Sequence, residues 1–175
     1  IDTKKKNGAM KLTNLRRMED LEETIIEIPE LSKPLSIVNV AKNFTQAYYN
    51  GNPEFYLLPS SQEETFLIPY TKNSLKNGKD NQLKSYINAD GSIARMTTFI
   101  KDENGEKMED IEAQIRKKVN KLFPSERYEV IITGKASVFQ KGTKYLLDNL
   151  LSSLLFAFLL TGGLVAIMFR SFKMV

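Results

Sequence analysis

The stretch LLSSLLFAFLLTGGLVAIMF, Leu150 to Phe169, constrains this chain more than any other feature. It runs for twenty residues without an Asp, Glu, Lys, Arg, Asn or Gln. At about 1.5 Å per residue, a helix of that length reaches about 30 Å, the thickness of a bilayer's hydrocarbon core. Each centrally placed Leu, Phe, Ile or Val favours insertion by about 0.3 to 0.6 kcal/mol, whereas a central charge opposes it by about 2.5 to 3.5 kcal/mol. Twelve residues of the stretch are of the favourable kind, so insertion is expected to be downhill even against Ser152, Ser153, Thr161, Gly162 and Gly163. A buried core helix is normally amphipathic, and the apolar part of a signal peptide is shorter and N-terminal. The stretch therefore reads as a transmembrane helix.

Its details suggest neighbours. Gly162 and Ala166 form a small-x-x-x-small pair, and with Gly163 they would let a second helix approach closely in lipid. Arg170 and Lys173 follow the span at once, whereas Lys141 and Lys144 lie several residues before it with Asp148 between. The denser positive flank places residues 170–175 in the cytoplasm and everything before the span outside it. Residue 1 is isoleucine, so the chain is expected to be mature, processed or a fragment, with a truncated N-terminus.

The remainder is polar, and the mean hydropathy of the whole chain is −0.30. The 25 basic and 21 acidic residues are interspersed, so the net charge of +4 forms no basic block and nucleic acid is not an expected partner. The absence of cysteine excludes disulfides and thiol chemistry, and the absence of histidine removes the commonest general base and metal ligand.

Two helices stand out by periodicity. Leu15, Met18, Leu21, Ile25 and Ile28 recur at helical spacing, with Thr13 or Asn14 as N-cap and Pro29 as the stop. Met108, Ile111, Ile115, Val119 and Leu122 do the same, with Glu112 and Arg116 as an i, i+4 pair and Pro124 closing the pattern. Segments rich in β-branched and aromatic residues flank them: Leu35 to Ala41, Ile93 to Ile100 and Tyr128 to Thr133 read as strands, and Asp90-Gly91 and Asn104-Gly105 as turns. A leading strand is expected to end near Ile1. Two β-α-β units predict an α+β fold, a ferredoxin-like split β-α-β sandwich. Between the units, AKNFTQAYYNGN reads as a short helix, and residues 54–91 as one helix and a surface loop.

Most candidate chemistry fails on spacing. ITGKAS, Ile132 to Ser137, lacks the Gly five positions before Gly134, where Glu129 stands, and has no Ser or Thr directly after Lys135, so it is no phosphate loop. DENGE, Asp102 to Glu106, lacks the ligand spacing of a calcium loop. The carboxylates sit largely on charged helix faces, and no pair stands out as acid and base. Tyr48, Tyr49, Phe55 and Tyr56 are candidates for an apolar ligand site but fit loop packing better. Asp148 reads as a boundary residue at the membrane edge. No catalytic, cofactor or metal site is expected, and the chain does not read as an enzyme.

The order of parts, YEVIITGKASVFQKGTKYLLDNLL, then the span, then FRSFK, resembles the resistance-nodulation-division (RND) superfamily of exporters. The likeness is to its hydrophobe and lipid exporters, the mycobacterial large-membrane-protein-like and Patched-related branch. It is carried by the Thr133-Gly134 turn, the long helix that follows and Phe169-Arg170-Ser171. LRRMEDLEETIIEIPELSKPLSIVNVAKNF is similar to the opening of the family's porter domain. The resemblance implies an extracytoplasmic porter domain over 1–136, a connecting helix over 137–149, the second transmembrane helix over 150–169 and a cytoplasmic flank over 170–175. It implies proton-driven export of a lipid or other hydrophobic small molecule across a bacterial inner membrane. The partners would be the membrane, the remaining transmembrane helices and the second porter half of the same chain, and the proton-relay carboxylates would lie elsewhere. Two other readings compete with it: a single-pass, membrane-anchored binding module and an anchored enzyme using carboxylates.

Overall fold

The computed structural model describes residues 1–63, 83–101 and 105–169. Among them are four α-helices: α1 (Leu12–Ile26), α2 (Ile37–Tyr48), α3 (Gly105–Leu122) and α4 (Lys135–Phe169). The chain divides into two compact units, Ile1–Ile132 and Thr133–Val175.

In the first unit α1 packs against α2 and α3. The periodic face of α1 is the inner one, with Leu15, Met18, Leu21 and Ile25 buried. They meet Ile37, Val38 and Ala41 of α2 and Val119 and Phe123 at the end of α3. On the outer face of α3, Arg116 pairs with Glu112 at 2.7 Å.

The start of α1 differs from expectation. Its N-cap is Lys11, which makes no side-chain cap, and the helix begins at Leu12. Asn14 is one turn too deep to cap and turns inward instead, donating Nδ2 to the Gly8 carbonyl at 2.7 Å.

The expected α+β ferredoxin-like sandwich is not formed. Among the described residues there is no β-strand, and extended segments meet only at isolated antiparallel bridges: Asp2 with Ile93 and Glu129, Leu31 with Ile100, Leu35 with Thr97, and Ile87 with Ala94. Ile93 to Ile100 and Tyr128 to Thr133 are therefore extended segments and not strands. Local causes cut the Asp2 and the Leu31–Leu35 pairings short. After Thr3 the backbone turns away through Lys4 and Asn7, both at φ 54°. Between the Leu31 and Leu35 bridges the chain has one residue more than the segment opposite, and Pro34 there has no N–H to offer a ladder.

Leu35 to Ala41 is also corrected, because Ile37 onward belongs to α2, which absorbs the short helix expected over AKNFTQAYYNGN. Ser36 caps it: its Oγ accepts from the Val38 amide at 2.9 Å, and the Ser36 amide donates to Asn39 Oδ1 at 2.7 Å. This reciprocal capping box outweighs the β-branched character of Ile37, Val38 and Val40. The Asp90-Gly91 turn is present, with Gly91 at φ 71° and a Cβ there placed only 3.0 Å from the Asn7 Cα. The expected Asn104-Gly105 turn, most of DENGE and the middle of residues 54–91 lie outside the described residues, while Gly105 itself opens α3.

Candidate functional site

The longest element is α4, 35 residues from Lys135 to Phe169. It opens at Gly134, whose φ of 153° suits only glycine. The Val138 amide donates to the Gly134 carbonyl at 3.0 Å. ITGKAS is thus a turn and the first residues of a helix. At about 1.5 Å per residue the helix is about 50 Å long, more than a bilayer core requires. Residues Lys141–Met168 make one helix long and apolar enough to cross a membrane, and no part of its apolar window is buried against protein. Leu155, Phe158 and Ile167 stand 62%, 68% and 76% exposed, so the apolar surface runs round the helix with no core to receive it.

Two of its hydroxyls are met internally. Ser153 Oγ donates to the Leu150 carbonyl at 2.9 Å and Thr161 Oγ1 to the Ala157 carbonyl at 2.8 Å, leaving these hydroxyls satisfied without water. Gly162 and Ala166 lie one turn apart on a shared, half-exposed face. A Cβ on Gly163 would meet nothing within 4 Å. Asp148 stands exposed before the apolar run, while Arg170 and Lys173 lie outside the described residues.

In the first unit the structure gathers three of the four aromatic residues noted in the sequence. Tyr49 stacks on Phe55 at 4.0 Å between centroids, and Tyr48 meets Tyr49 edge-on at 5.2 Å. Tyr56 stands apart under Lys42, whose Nζ lies 5.9 Å from its ring centre. The Tyr49 hydroxyl donates to Glu63. That bond holds the Glu63 carboxyl below its ordinary range and the Tyr49 phenol above its own.

Three arrangements were not anticipated. A cleft of about 280 Å³ is lined by Val119, Phe123, Tyr128 and Val130, with Lys4 and Arg116 among its polar residues. Tyr128 accepts from Arg17 Nη1 at 2.8 Å and donates to Asn14 Oδ1 at 2.8 Å, with the guanidinium 5.2 Å from its ring centre. Glu22 is 4% exposed and accepts from the equally buried Ser36 Oγ at 2.5 Å. Burial pushes its carboxyl above the ordinary glutamate range, against the pull of the Ser36 hydrogen bond and of Lys42. Sequence held a sign of this last site, because Glu22 follows Leu15 and Met18 at i+7 and i+4, on the buried face of α1. No group of three or more His, Cys, Asp or Glu able to hold a metal occurs among the described residues.

No family model matches the chain, and no curated protein or solved structure matches it either.

Proposed function

We propose that the chain is part of a membrane exporter of the RND type, driven by a proton gradient and acting on a lipid or other hydrophobic substrate. Residues before the span are its extracytoplasmic, substrate-handling domain, and α4 couples that domain to a bundle of further membrane helices, with Arg170 and Lys173 on the cytoplasmic side. The sheet that such a porter domain would carry is not formed among the described residues, so the reading draws no support from the fold. What supports it is α4: a single unbroken helix that starts directly after the Thr133-Gly134 turn and runs through the entire apolar stretch. A displacement of the span is carried along such a rod to Lys135, three residues beyond the first unit. Gly162, Gly163 and Ala166 supply a face on which a neighbouring helix packs closely.

The test is proton-dependent export of a lipophilic dye by the full-length protein in vesicles, with and without a Gly-Gly insertion after Gly142. Two glycines weaken the helix there by about 2 kcal/mol and break the rod. Export by the parent and its loss in a variant that still inserts support the coupling, and unchanged export by the variant argues against it. A parent protein that inserts but exports nothing, while binding an apolar ligand, favours the anchored binding module.

A further inference from the structure

Glu22 has a chemistry that no export step uses. It lies on α1, is 4% exposed, and reaches across to Ser36, which is 1% exposed and caps α2. One hydroxyl therefore serves both helices: Ser36 Oγ donates to Glu22 Oε1 and accepts the Val38 amide at 2.9 Å. One turn earlier on α1, Glu19 holds Lys42 of α2 at 2.6 Å. Glu22 thus lies near one ion pair, Glu19 with Lys42, in a partly dry space between the helices. The charged groups that act on Glu22 are Lys42 from α2 and Glu19 from α1. The third helix brings apolar Ile115 and Val119 to the same core. With both carboxylates ionised the cluster is one negative charge in excess, and the more deeply buried of the two is where a proton is best kept.

We propose that Glu22 is the proton-bearing part of a latch: α1 and α2 are held firmly together while its carboxyl is neutral and loosen when it ionises. The proton comes from bulk water, and no other bond changes. The neutral acid keeps a hydrogen bond with Ser36 in either sense, because Ser36 Oγ can donate or accept, so protonation leaves the α2 cap in place. Ionisation instead puts a second negative charge beside Glu19 at a site with little access to water.

The direction with pH follows from burial. The folded chain holds this proton more tightly than the unfolded one, so the contribution is full below the ordinary value of 4.5 and declines as the pH rises toward the raised folded value. The chain has no histidine to titrate in that window.

The experiment compares the whole chain in detergent with E22Q, whose amide still accepts from Ser36 but does not ionise. Thermal midpoints are measured from about pH 5 to about pH 7.5. Relative to E22Q, the parent is expected to lose stability as the pH rises, and the ratio of Val38 amide exchange rates, parent over E22Q, is expected to climb with it. Parallel profiles for the two proteins overturn the latch. Should E22Q fail to fold, the carboxyl carbon resonance of Glu22 in the parent decides: a midpoint above that of ordinary glutamate supports it, and an ordinary or lower midpoint overturns it.

Discussion

Tyr128 and Asn14, which stand 114 residues apart in sequence, are joined by a 2.8 Å hydrogen bond from the phenol to the amide oxygen. The same phenol oxygen accepts from Arg17, and the same amide donates to the Gly8 carbonyl. The extended segment after α3 is thereby tied to the first turn of α1. Tyr128→Phe keeps the ring, including its edge contact with Phe123, but removes both hydroxyl bonds and leaves the Asn14 oxygen without its partner. The expected loss is about 1 to 3 kcal/mol, measured by urea unfolding in detergent.

Gly8 sits where a side chain has no room. A Cβ there would fall 2.1 Å from Thr3 Oγ1, and Thr3 is buried, with its hydroxyl donating to the Ser92 carbonyl at 2.8 Å. Gly8→Ala is expected to destabilise by about 1 to 3 kcal/mol, with faster amide exchange at Thr3, whose N–H bonds the same carbonyl.

Acid should loosen the turn before Ala94. The Ser92 hydroxyl, at 2.8 Å, and then its amide, at 3.1 Å, hold the Asp90 carboxyl below its ordinary value of 3.8. A depressed acid stabilises above its unfolded value and loses that contribution as the pH falls through the folded one. Unfolding followed below about pH 4 is therefore expected to be less steeply acid-dependent in Asp90→Asn than in the parent.

The membrane assignment has a direct test in Leu160, near the middle of the apolar run and 51% exposed. Leu160→Arg exchanges a favourable residue for one that costs about 2.5 to 3.5 kcal/mol at a span centre. Glycosylation mapping of inserted and non-inserted protein is expected to show a fall in the inserted fraction. An unchanged fraction would mean that α4 does not cross the bilayer.

Periodicity made α1 and α3 legible, because a helix buried on one side writes a 3.6-residue pattern into its sequence: Leu15, Met18, Leu21 and Ile25 are buried as that pattern requires. The apolar character of α4 was equally plain, since composition alone decides it. The strands failed for reasons that composition does not record. Ile37, Val38 and Val40 favour a strand by propensity, yet Ser36 and Asn39 close a cap that starts a helix. Ile93 to Ile100 has suitable residues, but a ladder needs matched partners, and the extra residue beside Pro34 and the turn after Thr3 deny it two of them. The Tyr128 and Glu22 sites depend on partners distant in the chain, which local patterns do not register, although Glu22's place on the buried face of α1 was visible.

The double bridging of Asp2 bears on how the chain is made. Its amide and carbonyl bond Glu129 at 2.7 and 2.9 Å, while Ile1 and Thr3 on either side bond Ala94 and Ser92. The ribosome delivers residues 1–3 long before either partner, whereas α1 and α2, which also touch, lie within one short stretch of chain. High contact order of this kind slows the final step of folding and lengthens the time in which backbone edges stay open to wrong pairing. Closure of that seam therefore waits on Glu129, which the chain reaches only six residues before α4 begins.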